Sequence, residues 1–207
     1  MAKRISVILV LLIGLAMIST DAYCRNLDDK LEAGAYGILV VPAKDNFDTT
    51  GGGGGYLRYY VTDNIAIEGA AEYAQWDFAA DTAGATGQLT GTLDVIPIMG
   101  TILYAAEVGH SVRGYIGGGV TGMLVNGSAT GTLTPGGTGK IEFDDGIGGH
   151  ICAGLDWQAT KNIILNLDGK YTWLTSDTVE TVDSGTLTFE DMDMDNFTLR
   201  GGATYKF

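Results

Sequence analysis

The sequence predicts an all-β fold: a closed antiparallel transmembrane β-barrel of eight strands, with short turns at one end and long loops at the other. Three observations carry this expectation. The first is the final stretch, where Phe197, Leu199, Gly201, Ala203, Tyr205 and Phe207 alternate with Thr198, Arg200, Gly202, Thr204 and Lys206. Strict alternation puts the two sets on opposite faces of one strand, one apolar and aromatic, the other polar and charged. Such a strand suits a wall between lipid and a polar lumen. The second is that alternating segments recur along the chain, approximately at residues 30–42, 55–62, 65–78, 92–104, 113–125, 142–157, 163–175 and 193–207. The third is the links between them, which alternate short and long as periplasmic turns and external loops do in membrane barrels. A soluble sandwich also alternates, but its strands would not each set charges against an apolar outer belt.

In chain order, the first segment reads as an export signal. Lys3 and Arg4 precede an apolar run, Ile5 to Ile18, that is too short to span a bilayer comfortably, and small residues follow it. Residues 1–24 are expected to be a signal peptide, cleaved after Ala22 or Cys24, and residues 25–207 to form one barrel domain. A retained N-terminal anchor helix is the competing reading. Asp-Ala-Tyr before Cys24 is not the small-residue box of a lipoprotein. No later segment is long and apolar enough for a transmembrane helix, which does not exclude crossing by strands. The net charge of −13 argues against a nucleic-acid partner. Thirty-two glycines and three prolines, without a triplet period, fit turns and close-packed strands rather than collagen. With Cys24 removed, Cys152 would stand alone and no disulfide could form within the chain.

The short links are Thr62-Asp63-Asn64 and Gln158 to Asn162, with Ala105 to Val112 somewhat longer; those near 43–54, 79–91, 126–141 and 176–192 are long and rich in Gly, Thr and Asp. Keeping charges off the lipid assigns the phase of each strand. Glu68 and Glu72 point inward, with Ile65, Ile67, Ala71 and Tyr73 outward. Asn166, Asp168 and Lys170 point inward, with Leu165, Leu167, Tyr171 and Trp173 outward. His150, Cys152 and Asp156 oppose Ile151, Ala153, Leu155 and Trp157; Arg113 and Tyr115 oppose Ile116, Val120 and Leu124. The inward set then divides by height. Towards the external end it is apolar: Val40, Tyr56, Trp76, Phe78, Ile96, Ile98, Met123, Val125 and Leu174. Towards the periplasm it is a polar plug: Glu32, Arg58, Glu68, Glu72, Arg113, Asp156, Asp168, Lys170, Arg200 and Lys206. Eight strands enclose barely enough room for side chains or one small ligand, so a wide aqueous pore is not expected.

Several stretches together resemble the OmpW family. They are Leu31 to Pro42, Tyr60-Val-Thr-Asp-Asn-Ile-Ala-Ile-Glu68, the Pro97 strand, Arg113-Gly-Tyr-Ile-Gly-Gly-Gly119, Ala153-Gly-Leu-Asp-Trp157 with Asn162-Ile-Ile-Leu-Asn166, and the closing Gly-Ala-Thr-Tyr-Lys-Phe. The Thr-Asp-Asn turn leading into Ile-x-Ile-Glu is the most specific. Where that family often has Leu-Pro-Pro and Arg-Pro-Tyr, this chain has Val95-Ile-Pro-Ile98 and Arg113-Gly-Tyr115. The resemblance implies a bacterial outer-membrane location and passage of small hydrophobic molecules, which suits an apolar upper lumen. With the axis plugged, exit would be sideways into lipid. Pro97, which lacks an N–H for the ladder, is the candidate lateral opening; a local kink without transport is its alternative. The C-terminal Tyr205 and Phe207 resemble the end read by barrel-insertion machinery.

The implied partners are outer-membrane lipid and lipopolysaccharide, that machinery, and small apolar molecules, with the chain a monomer or weak oligomer. No cofactor or metal is expected. Asp191-x-Asp193-x-Asp195 begins like a calcium loop, but Asn196 replaces the required Gly and Gly202 stands where a bidentate Glu belongs. Gly51 to Gly55 lacks the Lys-Ser/Thr of a phosphate loop and reads as loop chemistry. Catalysis has one candidate group, His150 near Cys152, without a clear carboxylate orienter; His110 falls in a turn. The expectation is therefore no enzyme. A filled, purely structural barrel and a lipid-modifying enzyme are the alternatives.

Overall fold

The computed structural model describes residues 30–43, 48–81, 88–109, 111–132, 138–143, 145–176, 178–182, 185–188 and 192–207, with side chains described for most of these. The signal-peptide segment, His110 and the side chains of Asp191 and Asp193 lie outside the described residues. Twelve strands are present among them: β1 Leu31–Pro42, β2 Thr50–Tyr60, β3 Ile65–Asp81, β4 Gln88–Gly109, β5 Val112–Thr132, β6 Thr138–Phe143, β7 Gly146–Gln158, β8 Ile163–Ser176, β9 Thr178–Val182, β10 Gly185–Thr188, β11 Met192–Asp193 and β12 Asn196–Lys206. Eight close a ring in the order β1-β2-β3-β4-β5-β7-β8-β12, every pair antiparallel, and β12 returns to β1 with Leu39 opposite Leu199. The upper part of β5 continues past the ring and pairs with β6, which in turn pairs with β9, and β9 with β10.

On every ring strand but β4, the outward residues named from the sequence are those the phase rule sends to lipid. Ile67, Tyr73, Ile116, Ile151, Leu167, Trp173, Leu199 and Phe207 are all exposed. Outward aromatics gather at two heights. Tyr104, opposite Ile65, marks the periplasmic girdle, and Tyr73 on the same strand as Ile65 marks the external one. Eight residues of strand at roughly 3.3 Å each, tilted by about 40°, separate them by about 20 Å, which suits an apolar membrane band. Just above, polar groups reappear on the outer surface: Tyr73 donates to Asp94 at 2.8 Å and Gln75 to the same carboxylate at 3.0 Å.

The two periplasmic turns that the sequence marks as tight are built alike. In Thr62-Asp-Asn-Ile65 the Thr62 hydroxyl accepts from the backbone N–H of Asn64 (3.3 Å) and Ile65 (3.0 Å); in Thr160-Lys-Asn-Ile163 the Thr160 hydroxyl accepts from Asn162 (3.4 Å) and Ile163 (3.0 Å). Each Asn then reaches the strand beyond the hairpin, Asn64 donating to the Ala105 carbonyl and Asn162 to that of Lys206, both at 2.8 Å. Short polar side chains that bond backbone a few residues on are what such turns require.

The stretches near 79–91, 126–141 and 176–192, expected as loops, carry strand at 79–81, 88–91, 126–132, 138–141, 178–182 and 185–188, because the hairpins extend beyond the membrane band. Two further expectations about strands need correction. The glycine run 51–55 is not a loop but the upper half of β2, paired on both sides. A Cβ on Gly52 would meet the Tyr73 carbonyl oxygen at 2.1 Å, so the neighbouring strand lies too close for any side chain. The second concerns β4, whose phase is the reverse of the one expected. Ile96 is 39 % exposed on the lipid side and Ile98 shares that face, while Leu93, Val95 and Met99 are buried inside. From Val95 to Met99 both faces are apolar, so keeping charges off the lipid does not choose between them.

Candidate functional site

The lumen has three levels. At the periplasmic mouth lies a vestibule of about 330 Å³, lined by Lys30, Glu32, Tyr60, Glu107, Arg113 and Lys206 among others. Lys206 thus sits at the mouth, below the plug to which the sequence assigned it. Tyr60, Arg113 and Asp156 border this space, and their Oη, Nε and Oδ1 atoms are buried without a hydrogen-bond partner among the described residues. Ordered water is the ordinary partner for such groups.

Above the vestibule is the plug. Arg58 is its hub: it meets Glu68 at 2.8 Å, Asp156 at 2.9 Å and Glu32 at 3.5 Å. Its guanidinium lies between the rings of Tyr56 (4.9 Å) and Tyr115 (4.8 Å), an arrangement that suits a delocalised cation. Arg113 bridges Glu32 (3.0 Å) and Asp156 (2.8 Å) from below. Arg200 meets Asp168 at 2.6 Å, and Glu68 and Glu72 at 3.7 Å. Lys170 caps the stack, donating to both oxygens of Glu72 at 2.9 and 2.8 Å. Tyr115 donates to Asp168 at 2.7 Å and Tyr36 to Glu72 at 3.2 Å. A buried charge left alone costs several kcal/mol, and here each named charge has an opposite partner. Arg58 is 1 % exposed and Glu68 1 %. The axis is closed at this level.

The third level is apolar. Val40, Trp76, Leu93, Val95, Met123, Leu174 and Met194 are all buried in one cluster with Val125 packed against it. Tyr56 belongs to the same cluster, but its hydroxyl contacts Thr204 and accepts from Asn166 at 2.9 Å, so it joins the plug to the apolar layer. The side chain of Phe78 lies outside the described residues. The cavity left in this layer is about 20 Å³, bounded by Trp76, Pro97, Met123, Glu72 and Lys170. That is room for about one water molecule.

Pro97 lies on the lumen side, and its seam is incomplete. β3 pairs with β4 at Ala71 opposite Ile98 and resumes at Ala74 opposite Val95, with no pairing between Glu72-Tyr73 and Ile96-Pro97. On its other side Pro97 pairs in register with Met123 of β5. A proline has no N–H to give the neighbouring strand, and the lapse falls where that donor is missing.

His150 is held by two threonines. Thr101 Oγ1 is 2.9 Å from its Nε2 and Thr121 Oγ1 2.8 Å from its Nδ1. Both ring nitrogens are engaged by hydroxyls rather than by a carboxylate or by Cys152, which is a core arrangement. Among the described residues no group of His, Cys, Asp and Glu is placed to hold a metal ion.

A closed ring of eight strands, aromatic girdles and a charge-filled lumen describe a small membrane barrel, and comparison of the sequence with family models places it further. Residues 38–207 match the model of the OmpW family. The chain belongs to the OmpW family. It is an outer-membrane β-barrel of the Gram-negative type. Among solved structures it is similar to outer membrane protein W of E. coli, at 16% identity and a TM-score of 0.54, covering 88% of this chain and 100% of that one. It is equally similar to a major outer membrane protein of Thermus thermophilus, at 14% identity and a TM-score of 0.54, covering 86% and 99%. Comparison with curated proteins finds no match.

The structure brings together Glu32, Arg58, Glu68, Glu72, Arg113, Asp156, Asp168, Lys170 and Arg200 as one network, and Val40, Trp76, Met123, Val125 and Leu174 as one cluster. Sequence reasoning missed Tyr36, Leu93, Val95, Met99 and Met194. Tyr36 was legible, since it alternates with Ile38 and Val40 on β1, all three buried.

Proposed function

We propose that this OmpW-family barrel is a non-catalytic conduit that takes small apolar molecules into its external half and releases them sideways into lipid. The lapse in the β3–β4 seam carries the reading. It opens beside the apolar layer, directly above the plug that closes the axial route, so the wall is the nearest way out. Outer-membrane lipid and lipopolysaccharide are the proposed surroundings, with Tyr205 and Phe207 as the end offered to the insertion machinery.

The test is uptake of a small apolar fluorescent probe into liposomes carrying the barrel. Trp76→Ala removes the largest side chain of the apolar layer and is expected to speed uptake. Pro97→Ala returns an N–H to the seam and is expected to slow it. Equal rates in both variants and wild type overturn the route. A second reading, a filled barrel without transport, is favoured by the small size of the cavity. It predicts no facilitation by the wild type at all.

A further inference from the structure

Lys170 gives the floor of the apolar layer a specific chemistry. Two of its three N–H donors are taken by the Glu72 carboxylate, at 2.9 and 2.8 Å, and among the described residues the third faces the Met99 sulfur at 2.9 Å. A thioether is a weak acceptor, so an oxygen presented from the cavity would bond this ammonium better than Met99 does. Lys170 and Glu72 border the cavity together with Trp76, Met123 and the uncharged polar side chains of Thr172 and Asn196, so Lys170 is the only cation in its lining among the described residues. Its volume of about 20 Å³ matches one hydroxyl or carbonyl group and nothing larger. A chain attached to that group would have to displace Met123 and Met194, flexible side chains suited to yielding.

Charge decides which oxygen. Glu72 borders the cavity and already holds the Lys170 ammonium with both its oxygens. A carboxylate guest at Lys170 would set a second negative charge against Glu72 in a setting of low dielectric. We propose that the apolar layer selects single-chain molecules ending in a neutral oxygen acceptor, an alcohol, aldehyde or ester carbonyl, over plain hydrocarbons and over fatty acids. Lys170 is the specificity-determining residue. This inference rests on the conduit reading above and names its substrate class.

The experiment is a titration of the full barrel in lipid nanodiscs, carbon-13 labelled at the methionine methyls, with 1-octanol, n-octane and octanoate in turn. The Met99 and Met123 signals are the readout. Octanol is expected to shift both, with an apparent affinity about tenfold above that of octane, the worth of one hydrogen bond to a charged donor. Octane is expected to shift Met123 alone, and octanoate to bind more weakly than octanol. In the double variant Lys170→Met, Glu72→Gln, which removes the pair without stranding a carboxylate, octanol and octane should become equal. Equal affinities in the wild type, or octanoate binding tightest, overturn the inference while leaving the conduit reading intact. No shift of Met123 with any of the three overturns the conduit reading itself.

Discussion

Replacing Arg58 by methionine is the sharpest test of how the plug is held. Methionine keeps much of the stem's bulk, so the change falls on the charge. Asp156 retains Arg113 at 2.8 Å and Glu32 retains it at 3.0 Å. Glu68 is the residue left exposed to the loss: among the described ion pairs it keeps only Arg200, at 3.7 Å. A buried carboxylate stripped of its close partner costs about 3–5 kcal/mol. The stacking of the guanidinium on Tyr56 and Tyr115 adds about 1 kcal/mol. Arg58→Met should therefore lower the unfolding free energy by about 4–6 kcal/mol. Urea titration of the barrel in lipid vesicles measures this, with tryptophan fluorescence and the heat-modifiable gel mobility as independent probes. Adding Glu68→Gln should recover about half the loss, because the stranded charge is then gone. A cost below about 1 kcal/mol, the worth of an exposed pair, would refute the account of the plug as a buried network. So would a double variant no more stable than the single.

Three further outcomes follow from the geometry. Asn64→Ala and Asn162→Ala each remove one turn-to-strand hydrogen bond and should each cost about 1 kcal/mol by the same titration, adding in the double variant because they share no partner. Gly154→Ala would set a Cβ 2.4 Å from that of Asp168 and 2.6 Å from the Tyr115 ring, so the folded gel band should be lost; Gly69→Ala, with nothing within 4 Å of the new methyl, should fold as wild type. His150→Phe leaves the Thr101 and Thr121 hydroxyls without their partner and should cost about 1–3 kcal/mol in stability while leaving probe uptake unchanged.

How much the sequence reveals depends on contrast between the two faces of a strand. On β8, on β12 and on β3 as far as Tyr73, one face carries Glu, Asp, Lys or Arg and the other does not, so the membrane's aversion to charge assigns every position there. On β4 the contrast disappears between Val95 and Met99, and Ile96 and Ile98 were placed on the wrong side. The β2 glycines misled for another reason. Their low strand propensity describes an isolated chain, whereas here the closeness of β3 excludes any larger residue at Gly52 and Gly54. Apart from Lys206, which sits at the mouth, the residues of the plug were legible, but their pairing was not. Arg58 meets Asp156 across 98 positions of sequence, a contact fixed by barrel diameter and register rather than by local pattern.

The twin turns also bear on the order in which the chain can assemble. The threonine bonds of each turn join residues two or three apart, and hairpins so encoded form within microseconds. The ring, by contrast, shuts only when β1 meets β12, with Glu32 opposite Lys206. Bringing such distant ends together costs about 3 kcal/mol more chain entropy than closing a four-residue turn. Until that last ladder zips, the molecule is a curled ribbon with two raw edges, one of them ending in Tyr205 and Phe207. Any factor that bound such an edge would have to release it for β1 to take its place.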